Sequence, residues 1–286
     1  MDTSERNHDP AWLDRQYNNR ARVPEHPQLL AQWARESARV RFELPMRLDV
    51  CYGEEPFERL DVFPTHRDRA PVLVFIHGGW WRSLDKCDHS FVAEHFVREG
   101  AMVVVPNYAL APAVTIDQIA LQMVQALAWV WRHAALYGGD PRRIVVAGHS
   151  AGAHLAAMLL CCSWRSVARD LPEDLVGAAL GVSGVYDLEP LRHTPFLRED
   201  LQLSAHSVKR MSPARFPAPR GIFHAAVGAL ESEEFVRQNA LIRQAWGPRT
   251  VQICEAVPGA NHFDVLHDLA QPEGRLHGLA WALMQP

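Results

Sequence analysis

The sequence predicts an α/β fold: a mainly parallel central sheet of about eight strands, helices on both faces, and an N-terminal arm. Three observations predict it. Short β-branched or aliphatic runs bounded by Gly and Pro recur along the chain, amphipathic segments of helical length separate them, and the two kinds alternate. Continuous apolar strands joined through helices imply a sheet buried on both faces and wound by right-handed crossovers. In such sheets ligands collect at the carboxyl ends of the strands.

The strand runs are residues 72–76, 102–105, 144–147, 176–182 and 221–227, with 251–257 strand-like further on. Between them, residues 89–99, 116–135, 151–162 and 233–246 carry apolar side chains at spacings of three and four, the period of a half-buried helix. Upstream, 42–50 and 59–63 flank Gly53-Glu54-Glu55-Pro56 and are expected to pair antiparallel at one edge. Residues 1–40 hold Trp12, Tyr17, Leu29, Leu30 and Trp33 among Arg, Asn and Pro, the composition of an ordered arm packing on a catalytic domain of residues 41–286. Between Asp187 and Pro219, Pro190, Pro195, Pro213, Pro217 and Pro219 predict a long irregular connection beside the functional edge.

Length and composition narrow the function. A chain of 286 residues, 48% apolar and 22% charged, fills one large domain without a staple. A net charge of −4 supplies no basic field for nucleic acid, and Arg142-Arg143 reads as solvated surface. The opening Met-Asp-Thr-Ser-Glu-Arg-Asn-His is polar and lacks the apolar region of a secretory signal. The longest apolar runs, 72–76 and 155–162, fall short of the roughly twenty residues that span a bilayer, so no membrane association is expected. Cys51, Cys87, Cys161, Cys162 and Cys254 form an odd set without C-x-x-C, which fits a reducing cytoplasm; Cys161 and Cys162 are expected in the core. The 15 His residues include no H-E-x-x-H pair, so no metal is expected.

Chemistry concentrates in three places. Gly148-His149-Ser150-Ala151-Gly152 follows strand 144–147 and opens helix 151–162, the context that a G-x-S-x-G nucleophile elbow requires. The tight turn excludes side chains beside it, hence the glycines, and lifts Ser150 Oγ above the sheet at a helix N-terminus that favours developing negative charge. His77-Gly78-Gly79-Trp80-Trp81 ends strand 72–76, so the N–H groups of Gly78 and Gly79, with that of Ala151, are candidate oxyanion donors. Asn261-His262-Phe263 follows the last strand, where the order Ser, acid, His puts the general base, making His262 the candidate. For the acid, Glu231 and Asp187 compete; strand order favours Glu231 and leaves Asp187 as a capping residue. Glu233 and Glu234 read as helix N-terminal charges. Trp80, Trp81 and Tyr108 are pocket-wall candidates, and His149 reads as a packing residue at the pocket's edge.

Together these residues resemble the kynurenine formamidases and their esterase-like relatives among the α/β-hydrolases, in the broader hormone-sensitive-lipase-like group. The resemblance covers most of the chain. It rests on Tyr17-Asn18-Asn19-Arg20 with Val23-Pro24, on the His77–Trp81 and Gly148–Leu155 motifs, on 183–191 (Ser-Gly-Val-Tyr-Asp-Leu-Glu-Pro-Leu), on 231–238 (Glu-Ser-Glu-Glu-Phe-Val-Arg-Gln), and on Asn261-His262-Phe263. It supports Glu231 as the acid, at a position where the family normally has Asp; the side chain here is one methylene longer. Trp80 and Trp81 follow the glycines where the animal enzymes tend to have Tyr.

The expected function is therefore serine hydrolysis of small carboxylic esters or N-formyl aryl amides through an acyl-enzyme, with no metal or organic cofactor. The expected partner is a small ester or formamide substrate, and a homodimer is left open. The rival from another class is a non-catalytic ligand-binding protein on the same fold, which usually has lost its Ser or His; both are present here. A peptidase of this fold is disfavoured because no propeller precedes the catalytic region.

Overall fold

Strands β1 (Arg47–Cys51), β2 (Arg59–Phe63), β3 (Ala70–Ile76) and β4 (Met102–Pro106) join β5 (Gly139–His149), β6 (Ala178–Val182), β7 (Ile222–Gly228) and β8 (Val251–Val257). They form one 8-stranded sheet in the order β1-β2-β4-β3-β5-β6-β7-β8. The computed structural model describes residues 9–285; residues 1–8, on which the expectation about a secretory signal falls, and Pro286 lie outside the described residues. β1 and β2 pair antiparallel, as do β2 and β4, while every other neighbour is parallel. The predicted α/β-hydrolase sheet, its strand count and its antiparallel edge are all present.

The strands alternate between two buried faces. Val72, Val74 and Ile76 point into one core with Met102 and Val104, whereas Leu73 and Phe75 point into the other with Val103 and Val105. Each fully buried side chain of this size contributes roughly 1.5–3 kcal/mol, which is why continuous apolar runs mark a doubly covered sheet. Helices Ile116–His133, Ala151–Leu160 and Glu233–Thr250 cover the first face, and His26–Glu43, Ala93–Glu99, Val265–Ala270 and Arg275–Leu283 the second. Local signals set several ends: Thr115 and Gln118 form a reciprocal capping box, and Gly100 stops its helix at φ 101°.

Several boundaries differ from the sequence reading, among them β5, which runs from Gly139 to His149 where 144–147 is expected. Residues 42 and 43 finish helix His26–Glu43 and are not strand; Pro45 drives Leu44 into the extended conformation, and β1 begins only at Arg47. Only Ala93–Glu99 of the 89–99 segment is α-helical, with 3-10 turns before it. The connection 187–219 is largely short helices, including Pro195–Leu201 and Ala205–Met211. Pro190, Pro195 and Pro213 occupy first turns, where a missing N–H is tolerated, so they start helices instead of breaking them. The 233–246 helix continues to Thr250 across a break at Gly247, φ 73°.

The N-terminal segment is tied to both faces. Leu13 and Tyr17 of helix Pro10–Tyr17 enter the first core, and Trp33 and Val40 enter the second. Tyr17 Oη donates to Glu234 Oε2 at 2.7 Å and accepts from Gln238 Nε2 at 3.2 Å. Cys161 and Cys162 are half-buried at a helix end instead of in the core, and burial pushes their thiols up to about 12 and about 11. Among the described residues no helix is long and apolar enough to cross a membrane.

Candidate active site

β5 delivers His149 to the carboxyl edge of the sheet, and the chain reverses at once into helix Ala151–Leu160. Ser150 takes the turn at φ 55° and ψ −114°, a strained conformation for a residue with a side chain. A Cβ on Gly148 would fall 2.2 Å from Gly152 O, and one on Gly152 would fall 2.0 Å from Ile76 O, so both flanking positions must be glycine. The bend is fixed from outside by Ser150 N–H donating to Val182 O at 2.8 Å.

His262 lies in the loop after β8. Asn261 Oδ1 accepts from the N–H groups of Phe263 and Asp264 at 2.8 and 3.2 Å, which curls the loop so that the imidazole turns inward. His262 Nε2 sits 3.1 Å from Ser150 Oγ, and Nδ1 sits 2.6 Å from Glu231 Oε2. The carboxylate fixes the tautomer: Nδ1 carries the proton, leaving Nε2 as the acceptor for the Ser150 hydroxyl. Ser150 and His262 are 2% and 5% exposed, so these contacts form where water competes little.

Glu231 follows β7 through Gly228-Ala229-Leu230. Its second oxygen, Oε1, accepts from Ser183 Oγ at 2.5 Å and from Gly228 N at 2.7 Å. These two donors orient the longer carboxylate so that Oε2 alone faces the imidazole. Ser183, at φ 55° just past β6, repeats the strained geometry of Ser150 one strand over. Sequence reasoning gave it no role, although it opens the 183–191 segment that carries part of the resemblance and stands in a Ser-Gly pair at a strand's carboxyl end. Asp187 is engaged elsewhere: its Oδ1 accepts from Arg215 Nη2 at 2.9 Å and from Glu189 N at 3.3 Å. The structure thus joins Ser150, His262 and Glu231, and leaves Asp187 paired with Arg215; the N-cap of the next 3-10 turn is Leu188, not Asp187.

Gly78 lies against the candidate nucleophile; a Cβ there would meet His149 O at 2.8 Å and Ser150 Cβ at 3.0 Å. Gly79 turns at φ 108°, with its Cα facing Ser83 O too closely for any side chain. His77 braces this turn: its Nδ1 pairs with Gly78 O at 2.8 Å and its Nε2 with Asn107 Oδ1 at 3.2 Å.

Ser150 and His262 open on a cavity of ≈ 220 Å³. Trp80, Phe196 and Phe263 give it aromatic walls, and His149 and Gly79 also line it. Two of the expected wall residues are elsewhere. Trp81 is fully buried with its ring edge-on to His154 at 5.0 Å, and Tyr108 is fully buried, stacked on His77 at 4.3 Å and 9°. Both residues lie in a turn beyond β3, each at φ 55°, and the path of that turn sends Trp80 to the cavity and Trp81 to the core. The N-terminal segment adds a further wall through Asn18, Asn19, Arg20, Leu30 and Trp33. Arg82 also reaches the cavity, where Asp200 and Phe196 O hold its guanidinium.

Residues 60–190 match the BD-FAE family model. Kynurenine formamidase of Danio rerio is 32% identical over 231 residues, 78% of this chain and 76% of that protein. Isoprenylcysteine alpha-carbonyl methylesterase ICME of Arabidopsis thaliana is 31% identical over 159 residues, covering 52% of this chain and 36% of that protein. A solved structure from Silicibacter sp. tm1040 superposes with a TM-score of 0.83 at 29% identity, covering 94% of this chain and 98% of that one. With the sheet and the Ser-His-Glu geometry above, these likenesses establish that the chain belongs to the kynurenine formamidase family of α/β-hydrolases.

Proposed function

We propose that this protein is a serine hydrolase of small esters or N-formyl aryl amides in which Ser150 is the nucleophile, His262 the general base and Glu231 the acid that holds it. The observation that carries this reading is the 3.1 Å approach of His262 Nε2 to a Ser150 hydroxyl raised on a strained strand-to-helix turn. His262 takes the Ser150 proton as Oγ attacks the carbonyl carbon. The imidazolium that forms faces Glu231 Oε2, and the oxyanion faces the N–H groups of Gly78, Gly79 and Ala151, each well-placed donor contributing about 3–4 kcal/mol. His262 then protonates the departing alcohol or amine, leaving an acyl- or formyl-Ser150. Water attacks this intermediate, with His262 again as base, and releases the acid. Nothing in this sequence of steps calls for a cofactor.

The N-terminal segment enters the proposal as part of the site, since its side chains form one wall of the cavity. Trp80 and Phe196, in edge contact at 6.1 Å, suit a flat apolar group on the leaving side. Five cysteines free of disulfides favour a reducing cytoplasm. No observation favours the non-catalytic reading.

The test is a side-by-side assay on N-formylkynurenine and p-nitrophenyl butyrate. Turnover of either, lost in Ser150→Ala, is the expected result. Preference for the formamide would assign arylformamidase and preference for the ester would assign carboxylesterase. Inertness toward both, with a correctly folded protein, would refute the substrate class.

A further inference from the structure

His149 precedes the candidate nucleophile and was read from sequence as packing. The structure gives its ring contacts from three other segments. Nε2 lies 2.8 Å from the backbone carbonyl of His262. The ring lies 4.8 Å from the His262 imidazole at 45°, and Trp33 of helix His26–Glu43 meets it edge-on at 6.1 Å and 89°. On the other side, a Cβ on Gly78 would stand 3.2 Å from Nδ1. This elbow residue, only 3% exposed, thus touches the base loop, the glycine turn and the N-terminal segment.

The carbonyl of His262 can only accept, so Nε2 must carry the proton and Nδ1 must be the bare nitrogen. Burial holds this imidazole well below the usual histidine range, and the neighbouring His262 and His89 push the same way. The ring is therefore a neutral donor in a single tautomer. Its hydrogen bond reaches the main chain of His262 itself, across 113 positions of sequence. Asn261 and Asp264 shape the turn of that loop locally, and Leu230 N donates to Ala260 O at 3.0 Å, tying it to the segment after β7; among the described residues, the bond from His149 joins the loop to the elbow beside the reacting Nε2–Oγ pair itself.

We propose that His149 is a positioning residue, whose Nε2–H anchors the backbone of His262 to the nucleophile elbow and so sets the distance between the His262 imidazole and Ser150. The inference rests on the Ser150–His262 reading of function. The anchor ties the base-bearing loop to the strand that carries the nucleophile, so the two reacting groups move as one body. Its loss would let His262 drift by a fraction of an ångström to an ångström, a displacement that costs about 10- to 100-fold in rate.

The test uses two amide variants that differ in reach. His149→Gln carries an N–H donor near the position of histidine Nε2, and His149→Asn carries one near Nδ1, too short to meet the carbonyl. Steady-state assays on p-nitrophenyl butyrate are expected to give kcat within about threefold of wild type for His149→Gln. For His149→Asn a fall of about 10- to 100-fold in kcat is expected, with KM little changed. Equal kcat in the two variants, whether both high or both low, would overturn the proposal. A second measurement needs no variant and no turnover: nitrogen-15 NMR of the wild-type histidine rings. A neutral His149 protonated at Nε2 is expected; protonation at Nδ1 would overturn the proposal even if the enzyme is active. Conversely, an inert wild type with the expected tautomer would count against the functional reading and leave the anchor standing.

Discussion

Replacing Ser183 by alanine removes one hydroxyl that touches neither Ser150 nor His262, yet the structure predicts a large loss of rate. Glu231 Oε1 receives exactly the two donors that orient it, Ser183 Oγ at 2.5 Å and Gly228 N at 2.7 Å, and the Glu231 side chain is closed to solvent. Without the hydroxyl, one donor to Oε1 remains, the N–H of Gly228. A hydrogen bond to a charged group is worth about 1.5–3 kcal/mol, and a carboxylate held at one point is free to swing about it. If most of that energy serves to aim Oε2 at His262, kcat falls about 10- to 100-fold, since each 1.4 kcal/mol is tenfold. Alanine inherits the same φ of 55°, so the backbone strain is not relieved and does not confound the comparison. The assay is kcat and KM on p-nitrophenyl butyrate, with thermal unfolding measured alongside. A variant with wild-type kcat would refute the argument that Ser183 aims the carboxylate.

Three further outcomes follow from the same geometry. Tyr17→Phe removes the hydroxyl that joins helix Pro10–Tyr17 to Glu234 and Gln238; KM is expected to rise about fivefold, the equivalent of one hydrogen bond, while kcat holds, because Asn18 and Asn19 line the cavity next in sequence. Unchanged KM would show that the segment is no part of the binding wall. Stability is expected to fall on acidification: burial pulls His154 down to about 4 and His89 down to about 3 from an ordinary 6.5. Below 6.5 the unfolded rings bind protons that the folded ones refuse, so the stability present at neutral pH declines toward pH 4, by about 3 kcal/mol for His154 alone. Urea midpoints measured across this range check it, and His154→Gln should flatten the slope; a midpoint independent of pH would contradict it. Trp80→Ala should raise KM for aryl substrates more than for short aliphatic esters, because Trp80 and Phe196 supply the flat wall. An equal change for both would remove Trp80 from substrate recognition.

What could be read from the sequence was whatever depends on neighbours along the chain. Each parallel strand announced itself as a β-branched run because both of its faces are buried, and the Gly148–Gly152 motif was decisive because strand and helix lie directly on either side. Gly148 is forced by backbone atoms of Gly152, a contact within the motif, whereas Gly152 is forced by Ile76 O on the neighbouring strand β3. The errors have two causes. Pro195 and Pro213 begin helices that tertiary packing selects, whereas Leu44 leaves its helix because of the proline that follows it, a local signal that the strand reading of 42–50 passed over. Ser183, 48 positions from Glu231, and His149, 113 positions from His262, acquire their contacts only when β6, β7 and the loop after β8 are brought side by side. The cavity wall was misassigned for a similar reason: Trp80 and Trp81 look alike in sequence, and only the turn decides which one faces the cavity.

The most direct test of the account is the site of covalent capture by a fluorophosphonate, followed by intact mass and peptide mapping. Stoichiometric labelling of wild-type protein on Ser150, absent from Ser150→Ala and greatly slowed in His262→Ala, is the predicted result. Labelling at another residue, or wild-type turnover by Ser150→Ala, would contradict it.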